Sequence, residues 1–85
     1  MTQILYFSTT WCGPCKMFKP TVQAVAAETG TAIQYVDAEL MKESANQYNI
    51  SSVPTIVVVK DGIEIYRHSG ILDKRQLASL FLNFR

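Results

Sequence analysis

The residues Ile4-Leu5-Tyr6-Phe7 form an unbroken apolar run, and a strand with no polar alternation has to be covered on both faces. That requirement puts it in the middle of an α/β sheet. The chain has 85 residues, 48% of them hydrophobic, which suffices for one compact core and not for two. One domain spanning residues 1–85 is therefore expected, with any functional site built on a single scaffold.

The elements follow in order. From Gly13 to Thr29 the residues Met17, Phe18, Val22, Val25 and Ala26 recur at helical spacing, and Gly30 stands where a left-handed C-cap is expected. Pro20 interrupts the pattern and predicts a kink. Thr31 to Asp37 reads as a second strand, making a β-α-β unit that is parallel and right-handed. Leu40, Met41, Ser44, Ala45 and Tyr48 mark one face of a shorter helix, ended by Asn49 and Ser51-Ser52. Thr55 to Lys60 is the strongest strand, and Asp61-Gly62 followed by Ile63-Glu64-Ile65-Tyr66 signals a hairpin. Asp73 reads as an N-cap with Gln76 three positions on, ahead of a stripe of Leu77, Leu80, Phe81 and Phe84. The fold class is α/β with order β-α-β-α-β-β-α: a four-stranded mixed sheet carrying helices on both faces.

A formal net charge of +1, with both signs scattered along the chain, leaves no electrostatic footprint for nucleic acid or an anionic membrane. Met1 to Phe7 lacks a basic leader, and nothing approaches the roughly 20 apolar residues of a membrane span. These features predict a soluble, cytoplasmic, monomeric protein.

Cys12 and Cys15 are the only cysteines, three positions apart. A bond between them closes too small a loop to hold a fold together, which points to chemistry instead of structure. In Trp11-Cys12-Gly13-Pro14-Cys15-Lys16 they sit where a strand gives way to a helix. The first sulfur then lies at a helix N-terminus, where unpaired amides and the dipole favour negative charge. Cys12 is thus the thiolate nucleophile, assisted slightly by Lys16, and Cys15, a turn further in, resolves the mixed disulfide. Gly13 permits close backbone approach and Pro14 fixes φ as the helix opens. Trp11 is placed to shield the sulfur and touch a protein partner. A zinc site would require two more ligands, and His68 is the one histidine, so the sequence offers no metal centre.

Trp-Cys-Gly-Pro-Cys-Lys with Pro20 five residues beyond the second cysteine resembles the active-site segment of thioredoxins. Tyr48-Asn49-Ile50-Ser51-Ser52-Val53-Pro54-Thr55, Lys60-Asp61-Gly62 and Gly70 extend the likeness over nearly the whole chain. The resemblance implies that Pro54 is a cis proline facing the cysteines and that Val53 offers backbone groups to an extended peptide. It implies further that Trp11, Pro14, Gly70 and Ile71 line a shallow apolar groove. The substrates would be protein disulfides, the electron donor a separate thioredoxin reductase, and no bound cofactor would be needed.

The sequence departs from the family pattern in two ways. Typical thioredoxins carry a further strand and helix ahead of the active-site strand, so the expected fold is the minimal version. The buried Asp usually found six residues before the first cysteine is Tyr6 here, and its buried Lys partner corresponds to Tyr35. Since that Asp is held to help deprotonate the resolving cysteine, the second half of the cycle loses its general base. Two tyrosines would instead fill interior space. The alternatives are a glutaredoxin-like enzyme using glutathione, against which stand Gly13-Pro14 and Trp11, and a binding subunit whose redox activity is incidental. An oxidase or isomerase would be expected to carry His between its cysteines.

Overall fold

The protein is described by a computed structural model covering residues 1–84. Its elements are β1 (Thr2–Ser8), α1 (Gly13–Thr29), β2 (Ile33–Asp37), α2 (Lys42–Gln47), β3 (Thr55–Lys60), β4 (Ile63–Ser69) and α3 (Lys74–Phe84). The sheet order is β2-β1-β3-β4, with β1 parallel to β2 and the remaining pairs antiparallel. This is the expected order and topology.

The two-faced burial of β1 explains the layering. Ile4 and Tyr6 point to one side of the sheet, where with Ile56 and Val58 they meet Phe18, Val22 and Val25 of α1 and Leu77, Leu80 and Phe81 of α3. Leu5 and Phe7 point to the other, packing with Val36, Val57 and Val59 beneath Tyr48, Ile50 and Val53. Period-two alternation within an all-apolar run thus feeds two separate cores. Helices cover both faces.

Several boundaries differ from the sequence expectation, each for a local reason. The second strand starts at Ile33 and not at Thr31, because the Thr31 N–H is taken up in closing the C-terminus of α1. Gly30 has φ +67°, its N–H reaches the Ala27 carbonyl, and the Thr31 N–H reaches that of Ala26, a Schellman closure. The second helix begins at Lys42, and Leu40 and Met41 are exposed ahead of it instead of forming its apolar face. There the Asp37 carboxylate accepts the N–H groups of Glu39 and Leu40, turning the chain before the helix can start. Met17 is also exposed, lying about 100° round α1 from the buried Phe18 row. The expected kink site, Pro20, lies within α1, which continues through it to Thr29.

The hairpin forms as read, with Asp61 and Gly62 both at positive φ, as a type I′ turn requires. It continues past Tyr66 to Ser69, with a register shift between Val58 and Val59 that leaves Ile65 as the extra residue. His68 sits half-buried in β4 opposite Ile56. Asp73 and Gln76 close a reciprocal capping box at the start of α3: Gln76 N–H to Asp73 Oδ1 at 2.8 Å and Asp73 N–H to Gln76 Oε1 at 3.2 Å.

The burial of α3 yields a paired test. Leu77 is fully buried and Leu82 half exposed. In urea unfolding, Leu77→Ala should cost about 2–5 kcal/mol, whereas Leu82→Ala should stay within about 0.5 kcal/mol of the parent. Equal losses would contradict the assignment of the buried face.

Candidate active site

The site is made by one chain reversal. β1 ends at Ser8, a short turn follows, and α1 starts at Gly13 with Cys12 as its N-cap in extended conformation (φ −83°, ψ 107°). A cap side chain normally supplies an oxygen to the free amides of the first turn. Here sulfur takes that role: the Cys15 N–H donates to Cys12 Sγ at 3.1 Å. Pro14 lies within the first turn, where its missing N–H costs no helical hydrogen bond and its ring holds the helical φ.

The two sulfurs are 2.26 Å apart across a Cα–Cα separation of 5.3 Å, so this pair is a disulfide. Both residues are buried, Cys15 (2% exposed) more completely than Cys12 (6%). Among the described residues no group of three or more His, Cys, Asp or Glu is placed to hold a metal ion.

The loop before β3 comes up against the cysteines. The Val53–Pro54 peptide bond is cis, and the Val53 carbonyl oxygen lies 3.9 Å from Cys12 Sγ. Pro54 itself is buried and its carbonyl accepts the N–H of Gly70 at 2.8 Å, which ties the end of β4 to the same loop. Arg67 braces the loop from below, donating to the carbonyls of Tyr48 and Asn49 while paired with Glu64. That pairing holds the Glu64 carboxyl below the usual carboxylate range.

Beside Cys12 opens a cavity of about 450 Å³, walled by Trp11, Cys12 and Pro14 on one side and by Ile50 and Val53 on the other, with Ala38 completing it. Gly13 lines it too. Of the residues assigned to the groove from sequence, Gly70 and Ile71 do not line this cavity. Ile71 lines a second hollow with Met17 and Leu72, and Gly70 is hydrogen-bonded to Pro54. Trp11 is 70% exposed, and its indole Nε1–H donates to a Glu39 carboxylate oxygen at 2.7 Å.

Sequence reading missed Glu39, Ala38 and Ile50. Ala38 and Glu39 lie between recognisable motifs, where the one available signal was Asp37, whose Asx turn shapes residues 38 to 40; Ile50 lies inside the Tyr48 to Thr55 segment but has no role assigned there.

Behind the cysteines stands Tyr6, with no exposed surface, its hydroxyl donating to the Cys15 carbonyl at 3.1 Å. Burial first, and the neighbouring Tyr35 second, push its phenol up to about 12. Tyr35 is its partner across the parallel β1/β2 pair and makes an edge contact at 5.8 Å between ring centroids. Tyr35 is 37% exposed, with Lys19 Nζ 5.4 Å from its ring centroid. The two tyrosines do pack together, although only Tyr6 is an interior residue.

The sequence profile of the family described as Thioredoxin matches residues 1–83. The thioredoxin of Chlamydia trachomatis is 42% identical over 78 residues, covering 91% of this chain and 76% of the relative. That of Staphylococcus aureus is 38% identical over 80 residues, covering 92% and 77%. Among solved structures, a thioredoxin variant from Halobacterium salinarum superposes with a TM-score of 0.88 at 30% identity, over 98% of this chain and 74% of the other. Fasciola hepatica thioredoxin gives 0.87 at 32%, over 99% and 81%. Profile, relatives and superposition agree, and the chain belongs to the thioredoxin family of thiol–disulfide oxidoreductases.

Proposed function

We propose that the protein reduces protein disulfides, with Cys12 as nucleophile and Cys15 as resolving thiol. The observation that carries the reading is the use of the Cys12 sulfur as the N-cap of α1, at the edge of an open apolar cavity. An N-cap that becomes a thiolate gains from the amide already aimed at it and from the helix dipole, so attack at Cys12 is favoured in its charged form. The thiolate displaces one sulfur of the substrate disulfide and leaves a mixed disulfide on Cys12. Cys15 attacks that bond, forming Cys12–Cys15 and releasing the substrate as a dithiol. A thioredoxin reductase returns the pair to dithiol, so no bound cofactor is required. Pro14 between the cysteines, where no His stands to stabilise the thiolate further, supports a reductant over an oxidase.

The substrate peptide lies extended across Trp11, Gly13 and Pro14, taking backbone hydrogen bonds from Val53 beside Pro54. Gly70 and Ile71 flank its far side. The chain works in this reading as one monomeric domain in the cytoplasm. Among the described residues no helix is long and apolar enough to cross a membrane.

Proton handling on Cys15 is the unusual part of the cycle. Tyr6, with its phenol pushed up to about 12, is protonated throughout the neutral range and cannot serve as a base. Water, or a carboxylate brought by the partner, takes the proton, and release of the mixed disulfide is slower than in thioredoxins that carry a buried acid at this position.

Three outcomes are expected. Insulin reduction driven by a thioredoxin reductase should be lost in Cys12→Ser, while Cys15→Ser accumulates a mixed disulfide; turnover with glutathione alone would place the protein with glutaredoxins instead. Decay of the mixed disulfide from pH 6 to 9 should rise smoothly with ionisation of the thiol, and an inflection near neutrality from a second acid would contradict the account of Tyr6. Glu39→Ala should free the indole of Trp11, the one tryptophan, lowering its steady-state fluorescence anisotropy and raising KM for insulin with little change in kcat. Unchanged KM would remove Trp11 from the substrate surface.

A further inference from the structure

We propose that Tyr6 is a positioning residue for resolution: its hydroxyl holds the Cys15 carbonyl, and through it the first turn of α1, so that the second sulfur is presented to the first. The inference rests on the reading of Cys12 and Cys15 given above, and it concerns a position where the family pattern would have placed an acid.

The geometry is specific. Tyr6 leaves β1 on the side facing α1, is wholly buried, and packs its ring against Phe18 at 5.9 Å between centroids. Its hydroxyl then reaches the backbone of α1 at 3.1 Å, at the residue that must move its sulfur from a thiol to a disulfide. A helix carbonyl has two lone pairs and uses one for the amide four residues on, so the Cys15 carbonyl can accept the phenol without losing its helical bond.

The next carbonyl, that of Lys16, lacks a helical donor because Pro20 has no N–H. The turn carrying both cysteines therefore sits just ahead of an interruption in the hydrogen-bond ladder. A tie from the central strand to that turn compensates for the missing bond. Small displacements of reacting atoms are costly to a rate, which gives such a tie a kinetic consequence.

Chemically the hydroxyl stays a donor throughout. In the resolving step Cys15–SH and Cys12–S–S–R become Cys12–S–S–Cys15 and R–SH, the Cys15 proton passing by way of water to the departing thiolate. Tyr6 neither takes nor gives a proton in that balance. The titratable groups near it are Tyr35 from β2 and, over the Tyr35 ring, Lys19 of α1. Neither is hydrogen-bonded to the Tyr6 hydroxyl, which donates to the Cys15 carbonyl.

The test is Tyr6→Phe, which removes one oxygen and keeps the ring. Mixing the reduced protein with a chromogenic aromatic disulfide releases one coloured thiolate on attack by Cys12 and a second on resolution by Cys15, so the two steps are read separately. Attack should keep its rate within about twofold, while resolution slows by about tenfold, the scale at which misplacement of reacting atoms is felt, by the same factor at every pH from 6 to 9. With cysteine carbonyls carbon-13 labelled, the Cys15 signal should move upfield and that of Cys12 stay in place. Tyr35→Phe should resolve at the parent rate.

Equal resolution in Tyr6→Phe and the parent would overturn the proposal, as would a slowing that varies with pH, since the hydroxyl would then be handling the proton. Loss of the folded state, or equal slowing of both steps, would make the hydroxyl merely structural and also overturn it. If the parent releases no thiolate that depends on Cys12, it is the proposed function that fails.

Discussion

The amide of Cys15 points at the sulfur of Cys12 across the first turn of α1, and the rest of the site is arranged round that contact. It requires the chain to leave β1 in extended form, reverse within a few residues and enter a helix whose first residues include a proline. Each requirement has a residue behind it. Cys12 provides the cap, Pro14 holds the helical φ, and Gly13 has no neighbouring atom within 4 Å of where a Cβ would lie, so its lack of a side chain opens the cavity instead of relieving a clash. The same contact that terminates the helix neatly in structural terms supplies a donor to the sulfur when it carries charge. In the proposed reading, capping and nucleophile activation are one interaction viewed in two states.

Much of this was legible in the chain because the signals are local. The burial of β1 on both faces, the Asp61-Gly62 turn and the Asp73/Gln76 box each rest on a handful of contiguous residues whose backbone preferences agree with the final fold. Leu40 and Met41 show where local reading fails. Their spacing fits an amphipathic helix, but the Asp37 carboxylate captures two backbone amides first and leaves both side chains in solvent. Ala38 and Ile50 show a second kind of failure. Their part in the cavity comes from the approach of the loop before β3 to the turn after β1, a juxtaposition that no sequence window contains.

The groove divided in the structure for a similar reason. The Gly70 N–H is bound to the Pro54 carbonyl, yet neither Gly70 nor Ile71 lines the cavity beside Cys12. Trp11, Ile50 and Val53 line that cavity, and Ile71 with exposed Met17 lines a separate hollow. In the proposed reading a bound peptide spans both hollows, so its specificity arises from two shallow contacts and not from one deep pocket. Apolar side chains left in solvent at both ends are consistent with a surface that accepts many sequences through its backbone.

By the resemblance to the family pattern a phenol stands here in place of an interior acid, and that would change more than the proton inventory. A buried carboxyl is costly when charged and is tolerated only with a partner, which is why an acid at this position calls for a cation beside it. A phenol that stays neutral imposes no such demand. Tyr35, freed from pairing with a charge, packs edge-on against Tyr6 and turns outward beneath Lys19. The substitution at one position thus makes sense of the substitution at the other: an interior without the charged pair gains aromatic packing and a hydrogen bond to the helix that bears Cys15. In the proposed reading no titrating group serves there, and the burden of deprotonating the second thiol falls on the solvent and the substrate.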